Sequence, residues 1–141
     1  MIGTVIICHG NLAQELLKAA ELVVGPLENT LAVSINSKDN PESGRAKIAA
    51  ALDAVDQGEG ALIFTDMFGG TSSNLSLSFL GERNVEVVSG VNLPMLIKLP
   101  FYRGTGNLRE MAEFIREYGQ KHISVASSLL SRKKEGEKEK S

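Results

Sequence analysis

The stretch TVIICHGNLAQELL, residues 4–17, changes periodicity at His9. Thr4 to Cys8 form a continuous run rich in β-branched side chains, the pattern of a strand covered on both faces. After His9-Gly10-Asn11 come Leu12, Ala13, Leu16, Leu17, Ala20, Val23 and Val24 at spacings of three and four, an apolar stripe on a helix that Gly25-Pro26 ends. A buried strand that feeds a helix through His-Gly sets an imidazole at the mouth of a sheet.

The rest of the chain repeats the alternation. A second strand fits Thr30 to Ile35, followed by the polar segment Asn36 to Gly44, in which Pro41 begins a turn or helix. Ser43 to Val55 reads as a helix whose alanines allow close approach to a sheet, stopped by Gly58 and Gly60. Ala61 to Thr65 is a third buried strand, Asp66-Met67-Phe68-Gly69-Gly70 the loop after it, and Thr71 to about Leu80 a helix. Val85 to Val88 is a fourth strand. A short helix starts near Leu93-Pro94, where a proline removes no needed donor, and is interrupted by Pro100 and Gly104-Thr105-Gly106. Asn107 caps a last helix reaching about Tyr118. His122 to Ala126 reads as a fifth strand.

Such alternation predicts an open, mostly parallel central sheet with helices on both faces. Right-handed crossovers then favour the first strand centrally, the second on one side and the third on the other. The fifth strand is expected antiparallel at an edge or paired with a second subunit.

The chain has 141 residues, enough for one domain that buries roughly two thirds of the surface of its unfolded form. Aromatics are 5% and tryptophan is absent, so the core must be aliphatic. Residues 1–130 form the expected domain. Residues 131–141 are the expected charged tail: from Arg132 onward it holds five basic and three acidic residues and no apolar one, too little to offset the cost of ordering. Apolar runs fall far short of the roughly 20 residues of a membrane span, and MIGTVII lacks the basic start of a signal peptide. One cysteine, Cys8, excludes an internal disulfide and agrees with a reducing compartment, hence a cytoplasmic protein without membrane insertion. A net charge of −2 gives no case for nucleic-acid binding.

If the first and third strands flank the point where the winding reverses, a crevice opens at their C-terminal ends. His9 sits at one end and Asp66 at the other. Neighbouring strands lie about 4.8 Å apart, so the two side chains can meet across 57 positions of sequence. A carboxylate on Nδ1 fixes the tautomer, leaves a lone pair on Nε2 and stabilises the positive charge that grows on an attacking ring. The helices after Gly10 and Gly70 begin at the same crevice with unpaired amides and positive dipole ends. Gly69-Gly70-Thr71-Ser72-Ser73 adds backbone and hydroxyls fit to cradle phosphoryl oxygens. No Lys or Arg lies in either loop. The combination suggests covalent phosphoryl handling on histidine.

Other chemistries lack their motifs. There is no GxxxxGK[ST] loop, no GxGxxG in the first turn and no GxSxG elbow. Two histidines 113 positions apart and no CxxC give no metal site, and no cofactor is expected. Cys8 adjoins His9 in a strand and faces the opposite side, which makes it a core residue.

With His9-Gly10, Thr65-Asp66-Met67-Phe68-Gly69-Gly70-Thr71 with Asn74, and Ser89-Gly90-Val91-Asn92-Leu93-Pro94-Met95-Leu96 in this order, the chain resembles the enzyme IIA component of the mannose family of the bacterial phosphotransferase system. The likeness extends to about residue 127. It implies that His9 takes a phosphoryl group on Nε2 from the carrier HPr and passes it to a histidine of a mannose-family enzyme IIB. Asp66 would orient the ring, Gly69, Gly70 and Thr71 would match the loop beside the group, and Asn92 would lie near the rim. Gly10 and Ser72 complete the expected supporting set. Family members are usually homodimers that exchange their last strand. Ser72 stands where the family often has proline, and Cys8 where threonine or serine is common.

Plainer roles exist for several of these residues. His9 could be a turn residue, Asp66, Thr71 and Asn92 helix caps, and Met67 and Phe68 core; exposed, the last two would suit partner docking. His122 reads as structural. The phosphotransfer subunit of the dihydroxyacetone kinase system and a regulator gated by phosphorylation of His9 are the alternatives to the relay.

Overall fold

Strand β1 (Gly3–His9) is buried from Gly3 to Cys8 because helices cover both faces of the sheet in which it is central. The computed structural model describes residues 1–36, 38–102 and 107–132. After β1 come α1 (Leu12–Val24), β2 (Thr30–Ile35), α2 (Pro41–Val55), β3 (Ala61–Thr65), α3 (Thr71–Leu77), β4 (Val85–Ser89), α4 (Leu93–Lys98), a 3₁₀ turn (Leu99–Phe101) and α5 (Leu108–Lys121). All strand pairs are parallel, in the order β2-β1-β3-β4, so the expected central position of β1 holds.

Alternation along the strands divides the core. Ile6, Cys8, Leu62 and Phe64 pack with Ala13, Ala20, Met95, Leu96 and Ile115 from α1, α4 and α5. Val5, Ile7, Ala61 and Ile63 pack on the other face with Ile48, Leu52 and Val55 of α2 and with Phe79. The two central strands, β1 and β3, thus have two dry faces, which is why their sequences are apolar runs. The stripe of α1 is narrower than its sequence suggests: Ala13 and Ala20 are buried, but Leu12 and Val23 are exposed.

Among the described residues there are four strands, and the expected fifth is not one of them. α5 continues past Tyr118 to Lys121, His122 caps its C-terminus, residues 123–125 join no strand among the described residues, and 126–132 are helical. The β-branched Ile123 and Val125 supplied the strand signal, but a strand exists only through a partner edge. Both stand in solvent, 74% and 69% exposed. The expected glycine break at 104–106 and most of the charged tail, 133–141, lie outside the described residues, as does residue 37 in the polar segment.

Candidate functional site

The register brings the site together. Ile7 of β1 is opposite Thr65 of β3, so the chains leave the sheet side by side, one through His9 and the other through Asp66. Gly10, with φ 57°, takes the left-handed turn that lets β1 feed α1 at once.

His9 Nδ1 lies 2.8 Å from Oδ2 of Asp66, and the His9 amide donates to the same oxygen at 2.9 Å. A carboxylate only accepts, so the ring carries its proton on Nδ1 and presents a lone pair on Nε2. The His9 side chain is 40% exposed and that of Asp66 13%: the base of the pair is sheltered and the reactive edge is open. Oδ1 of Asp66 accepts from the Met67 amide at 3.0 Å and from the Ser72 hydroxyl at 2.7 Å. Burial pushes the Asp66 carboxyl up, but the bonds from the His9 amide, Ser72 and the His9 ring outweigh it and hold the carboxyl at about 2. Asp66 is therefore a fixed anion under the imidazole.

Gly70 closes one side of the ring. A Cβ there would stand 2.9 Å from His9 Cε1 and 3.6 Å from Nε2, so only glycine lets the backbone lie this near the reactive nitrogen. Gly69 precedes it at φ 88°.

The helix starts at this end of the sheet differ in a telling way. α2 and α4 are capped by side chains, Asn40 accepting from Ser43 and Asn92 from Met95. α1 and α3, which follow His9 and Asp66, have no side-chain cap. Their first-turn amides are left for solvent or an anion.

Several expected residues take different places. Ser72 is fully buried and faces Asp66, not the open hollow. Asn92 is committed to the fold: beyond capping α4, its Nδ2 donates to the Gly119 carbonyl in α5 at 3.0 Å. Thr71 is exposed at the first turn of α3. Met67 and Phe68 are 55% and 73% exposed, so the core reading of them fails. Cys8 is buried with Phe64 and Leu96; burial and the Asp66 charge push its thiol up to about 12, which leaves it unreactive. His122 stacks on Tyr118, ring centroids 4.0 Å apart. The grip of Ser72 on Asp66 and the packing of Gly70 on His9 escaped sequence reading, since no spacing rule links residues 66 and 72 or a glycine to a distant ring. No group of three or more His, Cys, Asp or Glu among the described residues is placed to hold a metal ion, and none of their helices is long and apolar enough to cross a membrane.

Comparison with known proteins gives the family. Residues 3–116 match the family model described as the PTS system fructose IIA component. The chain is 27% identical over 135 residues to the fructose-specific EIIA component of Bacillus subtilis, covering 95% of this chain and 92% of that one. It is 35% identical over 98 residues to the mannose-specific EIIAB component of Escherichia coli, covering 69% of this chain but only 30% of that protein. The mannose/sorbose specific IIA subunit from Enterococcus faecalis superposes with a TM-score of 0.79 at 28% identity, over 88% of this chain and 93% of that one. A solved EIIA component from Streptococcus agalactiae, at 23% identity and a TM-score of 0.82, shares the fold. A parallel α/β sheet with a carboxylate-held imidazole at its switch point, matched over 114 residues by the family model, identifies the chain as a member of the mannose family of enzyme IIA components of the phosphotransferase system.

Proposed function

We propose that His9 is the phosphoryl carrier of a sugar phosphotransferase system, loaded by phospho-HPr and discharged to a histidine of a mannose-family enzyme IIB. The observation that carries this reading is the single oxygen of Asp66 that takes both the amide and Nδ1 of His9, leaving Nε2 as the one nucleophilic edge. The P–N bond on the donor histidine breaks as the bond to Nε2 forms, and the proton on Nδ1 stays with the ring throughout. Asp66 balances the positive charge that the ring gains.

In-line transfer of this kind asks for positioning and for dispersal of charge on the three equatorial oxygens. The uncapped amides of α1 and α3 and the backbone of Gly69 and Gly70 supply donors. The loops carry no cation of their own, which suits a partner that brings one. Met67, Phe68 and Leu12, exposed around the mouth, form the docking face for the partner proteins in the cytoplasm. The working unit is a homodimer: among the described strands β4 pairs only with β3, and Ile123, Val125, Leu129 and Leu130 are more than half exposed, apolar surface that association would cover.

Incubation with phosphoenolpyruvate, enzyme I and HPr tests the reading. The wild-type chain takes up acid-labile, base-stable phosphate, and His9→Ala takes up none while keeping its circular dichroism. Undiminished labelling of His9→Ala would reject the assignment.

A further inference from the structure

Asp66 can orient His9 only if something orients Asp66. Its Oδ2 is occupied by His9, so the plane of the carboxylate is set at Oδ1. Of the two donors there, the Met67 amide belongs to the exposed loop, where the Met67 side chain is 55% exposed. The other is the Ser72 hydroxyl, at 2.7 Å from a residue that is fully buried on the inner side of α3. Ser72 is tied in turn: its carbonyl accepts the Ser76 hydroxyl at 2.6 Å. The chain Ser76–Ser72–Asp66–His9 thus links a packed helix to the reactive ring. Next to it Ser73 is equally buried, and its hydroxyl has no hydrogen-bond partner, which makes it an internal control from the same turn.

We propose that Ser72 is a positioning residue for phosphoryl transfer, which by donating to Oδ1 locks the Asp66 carboxylate in the plane that holds His9 with its proton on Nδ1. This role rests on the reading of His9 as the phosphoryl carrier. It has two physical parts. The bond removes rotation of the carboxylate about its Cβ–Cγ axis, so the ring is aimed by α3 and not by the loop. It also withdraws electron density from the carboxylate, which lowers its pull on the Nδ1 proton and leaves that proton on the ring.

The test compares wild type with Ser72→Ala, Ser72→Thr and Ser73→Ala. Nitrogen NMR reads the His9 tautomer and carboxyl-carbon NMR the Asp66 titration, both without any phosphoryl donor; labelling rates follow at saturating phospho-HPr. In Ser72→Ala the Asp66 midpoint rises from about 2 by roughly one pH unit, as expected for one lost donor. The Nε2–H tautomer gains population, and the saturated rate falls by about threefold to thirtyfold with donor affinity unchanged. Ser72→Thr restores all three readings and Ser73→Ala changes none. An Asp66 midpoint or a His9 tautomer that stays at the wild-type value in a folded Ser72→Ala chain overturns the role. If wild type takes no phosphate, the carrier reading falls instead, and the two NMR titrations still decide whether Ser72 governs Asp66.

Discussion

Gly70 and His9 are packed so closely that a methyl group on Gly70 would stand 2.9 Å from the ring carbon between the two nitrogens. Gly70 has φ −82° and ψ 173°, open to any residue. Gly70→Ala therefore adds a steric push without backbone strain. The ring must shift by several tenths of an ångström, enough to spoil an in-line approach. Phosphoryl uptake should fall about tenfold or more, with an unfolding free energy from urea titration within about 1 kcal/mol of wild type. Stopped-time labelling checks the first part, and a wild-type rate in the variant would show that the ring's position is not critical.

The grip of Asp66 on His9 should also be visible in stability. A carboxyl held at about 2 in the folded chain, against about 3.9 when unfolded, favours folding above pH 4. That contribution fades as pH falls from about 4 through 2, because the unfolded state takes its proton first. Its size is on the order of 1–2 kcal/mol. Urea unfolding of wild type and Asp66→Asn from pH 6 to pH 2 should give a difference that is constant above about pH 4.5 and shrinks below it. A pH-independent difference would mean that the bonds do not favour the ionised form.

Much of this was legible before any coordinates. The passage from β-branched run to helical stripe at His9-Gly10 located both the sheet and the site. The right-handed crossover rule placed β3 beside β1, and with it Asp66 beside His9. The failures share a cause: local pattern does not report what lies across the gap. Ile123 and Val125 alternate like a strand, yet strandness depends on an unpaired edge within reach. In Thr71-Ser72-Ser73, three hydroxyls read as one cradle, but helical phase sends Ser72 to Asp66 and Ser73 inward to no partner. Asn92 carried two readings; the cap on Met95 is local and legible, but its further bond to Gly119 joins elements 27 residues apart.

Cys8 offers a simple check on the core beside the site. Its thiol is buried and pushed up to about 12 by burial and the Asp66 charge. Thiolate is the reacting species, so iodoacetamide at pH 8 should leave the native chain unmodified over hours and alkylate it fully in urea. Mass spectrometry reads the result. Prompt native labelling would show that the end of β1 opens, and the sheltering of Asp66 would then be in question too.

The last prediction concerns the surface that the chain alone leaves uncovered. Among the described strands β4 pairs with β3 on one side only, and beside it runs a groove lined by Val87, Ala112, Arg109 and Arg116. Beyond α5, Ile123 and Val125 and then Leu129 and Leu130 stand in solvent at 55–74% exposure. Apolar residues so concentrated in eight positions would raise aggregation if nothing covered them. A chain shortened after His122 should therefore sediment as a monomer where the full chain should sediment as a dimer, with the hydrogen bonds between His9 and Asp66 kept. Removal of exposed residues should cost the monomer fold little, so circular dichroism should be preserved. Phosphate uptake from phospho-HPr should persist, because the hydrogen bonds described for His9 and Asp66 come from β1, the loop after β3 and α3. A full-length chain that is already monomeric at micromolar concentration, or a shortened one that remains a dimer, would assign that apolar segment to something other than self-association.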